Sequence, residues 1–501
     1  MLLQLDKQGT LYGQVYRALR LEILSARLKS GTRVPSTRWL ASELGISRNV
    51  ASLAYSHLLA EGYLTTRKGA GTYVAAELPE TAIPGGQASS KRASRPRRPP
   101  KLSSYALHIA QEWKHGLTWA PRADPLRYDF RYGPPSFSEL PYATWCRILA
   151  RRARQASKRD LDYGPPEGSP LLREALCEYL RRARAITCHP EQVLIVSGIK
   201  QGLDIATRVL VESGDGVALE DPQMRTVRAV FLAAGAKITA VPVDTHGIQV
   251  DRLRQAGQIR LVHLTPSYQF PTGITMSLTR RLEVLAWAKR TGALIFEDDY
   301  DSGYRYAGPS VEALHALDDS QSVIYAGTFS KSLFPALRLG YLVLPEYLVS
   351  IFRSIKALLD TGSPVLPQLA LADFMREGHF ERHLRKLRAR NAQRRAALIE
   401  ALDRHLGGRV EVSGSNAGDH ILLWLRDFPF NRSSELTRRA EAVGVRVYSA
   451  GPFYLSQPKL AGLLLGYASL TEREIREGIL RLATTLGKSE ASAASTIKFS
   501  L

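Results

Sequence analysis

Apolar residues recur at helical spacing through Leu11–Leu24, and the pattern breaks at Gly31 and Pro35. Pro35–Gly45 reads as a short helix with Ser36 as its N-cap and a glycine at its end. After the Gly45-Ile46 turn, Ser47 is placed to cap a second helix that reaches Gly62. Tyr63–Val74 alternates about a basic, glycine-rich tip, which predicts a β-hairpin. From about residue 76 to 125 periodicity fades. Lys91–Lys101 carries basic residues and prolines with no acid, so it predicts an extended, mobile linker. Residues 126–485 alternate strand-like and helix-like segments. Strands are expected at Gln192–Ser197, Gly216–Glu220, Ala236–Val241, Leu261–Thr265, Ala293–Glu297 and Ser322–Ala326. Helices such as Pro170–Ala183 and Lys200–Leu210 fall between them. This predicts an α/β architecture with a mostly parallel sheet. A smaller subdomain is expected from about residue 370. It opens with the basic helical run Arg382–Arg395 and contains a strand at Ile421–Leu425. The Ser- and Ala-rich tail, 486–501, is expected to be disordered.

The first module changes meaning once its turn is considered. Two short helices joined by a glycine turn, the second opening with Ser47-Arg48-Asn49, follow the helix-turn-helix plan. That plan places the start of the second helix in a DNA major groove. The chain has 501 residues and a formal charge of +21, which suits a polyanionic partner. The linker's charge fits either added non-specific DNA affinity or a soluble spacer. Arg67 reads as a solvated charge, and His57 as a helix-surface or core-edge residue.

Composition narrows the remaining classes. No apolar run reaches the roughly 18 residues that a membrane helix needs. The three cysteines, Cys146, Cys177 and Cys188, make no metal or paired-disulfide pattern, and no metal site is expected. A reducing, cytoplasmic setting fits. The N-terminus lacks a basic start and a signal-like apolar core.

Candidate chemistry lies at the ends of the predicted strands. Lys331 follows the apolar run Ser322–Ala326 and sits between Ser330 and Ser332, with Arg338 further on. A Schiff-base lysine needs a sheltered amine and nearby cations for a cofactor phosphate. Ser197-Gly198-Ile199 follows a strand and opens a helix, where exposed amides bind phosphate. Asp298 and Tyr300 lie at the end of another strand, where ligand crevices of α/β sheets form. Pyridoxal phosphate needs an amine for its aldehyde, a carboxylate at its ring nitrogen, a donor at its ring oxygen and a phosphate cup. Lys331, Asp298, Tyr300 and the set Ser197, Gly198, Thr328, Ser330 and Arg338 supply all four. Thr265–Gly273 is another strand-end turn facing the same crevice.

Residues 10–75 resemble the GntR-type winged helix-turn-helix, and 126–485 resemble a fold-type I aminotransferase of the class I/II group. The fusion resembles the MocR family of bacterial transcription regulators. The resemblance implies DNA contacts from Arg38, Arg48, Asn49, Lys68, Gly69 and Gly71. It also implies that Lys331 bonds the cofactor, Asp298 keeps the ring nitrogen protonated and Tyr300 hydrogen-bonds the ring oxygen. Tyr163 matches a tyrosine that reaches the neighbouring subunit's phosphate, which implies a homodimer, and the family resemblance implies that this dimer is head-to-tail and domain-swapped. Partners would be double-stranded operator DNA and either pyridoxal phosphate or a small amine effector. A working aminotransferase with an appended DNA-binding module is the alternative.

Several positions depart from the family pattern. Met224 stands where an aromatic residue is frequent, and Lys200 where a glutamine is usual. Lys200 fits a phosphate contact or an exposed helix lysine. Phe270 precedes Pro271 where an asparagine commonly serves the ring oxygen, leaving Tyr268 or Gln269 to substitute. The arginine that clamps a substrate carboxylate is replaced by Leu464, two residues before Gly466-Tyr467. Leucine offers no bidentate cation. A poor amino-acid aminotransferase is therefore expected, unless Arg225 or Arg228 takes over.

Overall fold

The computed structural model describes residues 3, 5–67, 69–79, 101–113, 126–301, 303, 306, 312–414, 417–486 and 498–499. The chain divides into two units, Met1–Lys101 and Leu102–Leu501.

In the first unit, α1 (Leu11–Leu24) precedes α2 (Thr37–Leu44) and α3 (Arg48–Ala60). Both expected caps form. Ser36 Oγ accepts from the Trp39 amide at 3.1 Å, and Ser47 Oγ accepts from the Val50 amide at 3.4 Å. Each satisfies a donor that the first helical turn leaves unpaired. Gly45 ends α2 in the left-handed region (φ 64°), where a side chain is strained. Val15, Leu19, Leu40, Ala51, Ala54 and Leu58 make the shared core. Strands β1 (Leu64–Arg67) and β2 (Gly71–Val74) pair antiparallel, with Arg67 opposite Gly71, and form the expected wing.

The second unit begins with α4 (Ser104–Trp113), a helix inside the span expected to be linker. The sequence 80–100 and 114–125 of that linker lies outside the described residues. Strand β3 (Tyr128–Asp129) and helices α5 (Tyr142–Gln155) and α6 (Pro170–Arg184) follow. Then come β4 (Val193–Val196), α7 (Ile199–Leu210), β5 (Gly216–Asp221) and α8 (Arg225–Ala233). The main sheet adds β6 (Lys237–Asp244), β7 (Gly247–Ile248), β8 (Leu261–Leu264), β9 (Leu294–Asp299), β10 (Val323–Thr328) and β11 (Gly340–Val343). Its order is β4-β11-β10-β9-β8-β5-β6-β7. Strands β10, β9, β8, β5 and β6 pair in parallel. Burial on both faces favours apolar runs, as in β8, where all four residues are buried, whereas β6 buries only Val241. Strand β11, which the sequence pattern did not predict, runs antiparallel to both β10 and β4.

The smaller subdomain holds β12 (Val410–Ser413), β13 (His420–Pro429), β14 (Val445–Arg446), β15 (Tyr448–Ser449), β16 (Leu460–Gly466) and β17 (Lys498–Phe499). Five of these form a sheet in the order β15-β16-β13-β12-β17, and β14 pairs with β3. The basic run Arg382–Arg395 lies inside the 28-residue helix His379–Leu406. Its buried Ala397, Leu398, Ala401 and Leu402 share a core with Ile421 and Leu423 of β13 and Leu463 and Leu465 of β16. Within the tail, Lys498–Phe499 pairs parallel with β12, while 487–497 and 500–501 lie outside the described residues.

Candidate functional site

Strand β10 delivers the lysine loop. Phe329 and Leu333, each 2% exposed, anchor that loop in the core and leave Lys331 between them at the edge of a cleft. Gly327 is fixed by close packing, because a Cβ there would lie 2.3 Å from the Tyr341 ring. The Ser330 amide donates to Thr328 Oγ1 at 3.1 Å, and the two hydroxyls lie 3.1 Å apart. Lys331 Nζ reaches Asp419 Oδ2 at 2.6 Å and lies 5.6 Å from the centre of the Tyr300 ring. Burial disfavours the Asp419 charge, but the Lys331 ammonium and the His420 imidazole outweigh it and hold the carboxyl well below its usual range. Burial and, after it, the neighbouring Asp419 charge push Asp301 well above its usual value.

The three acids at the end of β9 have different settings. Strand alternation puts Glu297 and Asp299 on one face and Asp298 on the other. Glu297 accepts from the amides of Leu314 and His315, each at 2.9 Å. Asp299 pairs with Arg184 at 2.9 Å and accepts from the Tyr325 hydroxyl. Asp298 Oδ2 lies 3.4 Å from His263 Nε2, and the other ring nitrogen of His263 meets Gln223 Nε2 at 3.0 Å. Asp298 Oδ1 is buried and has no hydrogen-bond partner among the described residues. A buried acceptor without a donor carries a desolvation cost, and a protonated ring nitrogen is the kind of donor that relieves it.

Tyr300 donates to the Tyr268 carbonyl at 2.9 Å. Tyr268 is 2% exposed, and its hydroxyl donates to the His420 carbonyl, with the Gly414 carbonyl at 3.3 Å. Its phenol is therefore engaged with the smaller subdomain. Gln269 is also engaged, its amide donating to the carbonyls of Pro222 and Phe270 at 2.7 Å.

At the start of α7, Gly198 takes φ 84°. A Cβ there would lie 3.3 Å from Arg338 Nη1, so glycine permits the guanidinium's close approach. Arg338 donates to the Ser197 carbonyl at 2.6 Å. Ser197, Gly198 and Ile199 thus bring a helix N-terminus and an arginine together, the chemistry of a phosphate cup. Lys200 is exposed. Tyr163 is 86% exposed and makes no contribution to the cup within its own chain.

Leu464 is completely buried, clustered with Tyr132, Phe270, Leu422, Tyr448 and Phe453, with Met224 and Tyr300 packed against them. Arg225 and Arg228 do not replace the missing cation there. Arg228 pairs with Glu112 of α4 at 2.9 Å, and Arg225 donates to the Glu112 carbonyl. Sequence reasoning missed His263, Asp301, Asp419 and His420. The signal for the last pair was a polar Asp-His step opening the apolar run Ile421–Leu425. For Asp301 it was a fourth acid just past the Glu297–Asp299 run.

In the winged module, Arg38, Arg48 and Asn49 are exposed at the starts of α2 and α3. Gly69 (φ 77°) and Gly71 (φ 113°) shape the wing tip, while Lys68 lies outside the described residues. Arg67 stacks over Tyr73 at 4.5 Å, and His57 is a surface residue stacked on Tyr12 at 5.6 Å. Among the described residues, no helix is long and apolar enough to cross a membrane.

Residues 11–74 match the bacterial regulatory proteins of the gntR family, and 138–482 match aminotransferase class I and II. The chain is 37% identical to the probable rhizopine catabolism regulatory protein MocR of Rhizobium meliloti, over 99% of this chain and 97% of that protein. It is 27% identical to the pyridoxine biosynthesis regulator PdxR of Corynebacterium glutamicum, over 92% and 93% respectively. Among solved structures, Pyrococcus horikoshii kynurenine aminotransferase superposes with a TM-score of 0.67 at 26% identity, covering 77% of this chain and 95% of that one. A DNA-binding helix-turn-helix and a fold-type I aminotransferase domain in one chain, matched along its length by regulators, place this protein in the MocR/PdxR family of transcription regulators.

Proposed function

We propose that this regulator binds pyridoxal phosphate at Lys331, and that occupancy by the cofactor or an amine effector sets its affinity for operator DNA. The observation that carries the proposal is the orphaned Asp298 Oδ1 on β9, one strand away from the lysine loop of β10. Lys331 is the attachment point, and Asp298, oriented by His263, receives the ring N–H. Gly198, Ile199, Arg338 and the hydroxyls of Thr328 and Ser330 hold the phosphate. Tyr300 serves the ring oxygen by turning its hydroxyl from the Tyr268 carbonyl, while Tyr268 fixes the wall behind it. When bound, the cofactor supplies an electrophilic carbon that condenses with amines. A homodimer completes the cup. Tyr163, Leu161 and Leu358 are 86%, 71% and 82% exposed, which suits burial against a second copy.

Arg38, Arg48, Asn49, Lys68, Gly69 and Gly71 contact the operator, the first residues of α3 reading base edges and the wing touching phosphate. The effector shifts DNA binding only as far as its affinity differs between the two states of the protein. Regulation is favoured over amino-acid turnover because Leu464 sits in an aromatic cluster where a carboxylate clamp would need a cation.

The test is a visible absorption titration with pyridoxal phosphate, followed by borohydride reduction and peptide mass analysis. A shifted band fixed on Lys331, together with a change in operator affinity on loading, is the expected result. Cofactor fixed on another lysine, or operator affinity independent of loading, overturns it.

A further inference from the structure

The charges around Lys331 bear on the chemical class of the effector. Given cofactor attachment at Lys331, on which the assignment rests, we infer that Asp419, with Asp301 beside it, docks the ammonium group of an amine effector that carries no carboxylate.

Three observations carry this. Asp419 is 2% exposed, and Lys331 Nζ at 2.6 Å gives it a cation. Once the Lys331 nitrogen is bonded to a cofactor it no longer offers three ammonium hydrogens. That leaves the buried Asp419 carboxylate with the His420 Nδ1 contact at 2.9 Å and less compensation on Oδ2, so the site favours a ligand that brings a cation there. Second, Asp301 is 3% exposed and lines the same cleft as Lys331. Its Oδ1 has no hydrogen-bond partner among the described residues, while Oδ2 accepts the Asp419 amide at 3.1 Å. A polar group that is buried and half satisfied is a site awaiting a donor or acceptor.

Third, among the described residues no cation stands where a carboxylate clamp would need one, and the nearby Arg395 lies over the Tyr306 ring at 5.9 Å. Leu464 lies in the aromatic cluster, Arg228 is held by Glu112 and Arg184 by Asp299. A carboxylate entering beside Lys331 therefore meets Asp419 directly, and at the Leu464 position it meets an aliphatic side chain in place of a guanidinium. Selection comes from both terms: attraction of an ammonium and repulsion of a carboxylate.

The experiment has two arms. In the first, Lys331→Ala removes the resident cation and opens room beside Asp419 without any cofactor. Ethylamine and ethanolamine are expected to raise its thermal midpoint and to bind at least about tenfold more tightly than glycine, with acetate inert. Lys331→Ala/Asp419→Asn is expected to lose the response. Should Lys331→Ala fold poorly, its recovery as soluble protein with ethylamine but not acetate reads the same quantity. In the second arm, the unaltered protein loaded with pyridoxal phosphate is titrated with ethanolamine and with serine. Ethanolamine is expected to shift the absorption band at about tenfold lower concentration, and Leu464→Arg to narrow that gap. Equal or tighter binding of glycine and serine, an unchanged response after Asp419→Asn, or the same stabilisation by Mn²⁺ in place of amine overturns the inference. Cofactor capture is scored separately by borohydride reduction. Capture lost with the amine preference intact rejects only cofactor attachment at Lys331, and capture intact without the preference rejects only the ammonium site.

Discussion

In the winged module, Arg38, Arg48 and Asn49 are exposed at the starts of short capped helices, and the core beneath them is apolar. In the large unit, Asp298, Asp301 and Asp419 lie almost entirely beneath the surface, and each is positioned by another charged or aromatic residue. The first arrangement is modular: an exposed cation acts in high dielectric, where its field on neighbouring groups is weak. The second is coupled. Lys331 and His420 hold Asp419 well below its usual range against burial, and burial together with the Asp419 charge pushes Asp301 well above its own. Buried charges share one electrostatic state, so a single substitution there acts on several residues.

The contrast is tested most severely at Lys331. Lys331→Ala is expected to abolish borohydride-fixable cofactor completely, while the salt dependence of DNA binding stays as it was; a changed salt slope would show that the units are not separable in this way. Glu220 offers the next largest effect. Burial pushes its carboxyl up to about 7, against hydrogen bonds from Thr265 that favour the charge. A raised carboxyl favours the folded state most below the unfolded value of 4.5, and that contribution disappears as pH climbs to 7. Glu220→Gln is expected to flatten the fall in stability between those limits by about 3 kcal/mol, measured by denaturation at a series of pH values.

Asp298→Asn is expected to weaken cofactor binding by about 1.5–3 kcal/mol, read from the absorption titration, with operator binding by cofactor-free protein unaltered. Conversely, Arg48→Ala is expected to cost about 1–3 kcal/mol of operator affinity in a gel-shift titration and to leave the cofactor band untouched. A shifted cofactor band in DNA-free Arg48→Ala, or altered operator binding by cofactor-free Asp298→Asn, would show that the side chain acts beyond its own site. The smallest effect belongs to Ser36→Ala. Loss of this cap is expected to cost about 1 kcal/mol, seen as a lower unfolding midpoint for the winged module alone.

Legibility followed the range of the interactions involved. The caps at Ser36 and Ser47 and the turn at Gly45 act within a few residues, so they were visible in the chain. The strands were visible too, because burial on both faces favours an unbroken apolar run, as in Val193–Val196, and His263 is the one polar residue in Leu261–Leu264. Lys331, Asp298, Tyr300 and Arg338 were read from residue types at strand ends, and the structure gathers Lys331 and Tyr300 at one cleft and Arg338 at the Ser197 carbonyl. Helix α4 was missed because its basic, proline-containing surroundings mask one apolar stripe, and only α8 supplies the arginines that hold Glu112.

The sequence by itself determined the two-part plan, the winged helix-turn-helix, the α/β large unit and the lysine at its centre. These rest on local propensity, hydrophobic periodicity and residue chemistry at fixed spacing. Only the tertiary structure decided that Asp419 neutralises Lys331, that His263 backs Asp298, and that Tyr268 faces the smaller subdomain. Asp419 lies 88 residues from Lys331 in the chain. A charge pair across that separation leaves no periodic trace, because the packing of β13 against the lysine loop, and not the spacing of residues, brings the two groups within hydrogen-bonding distance.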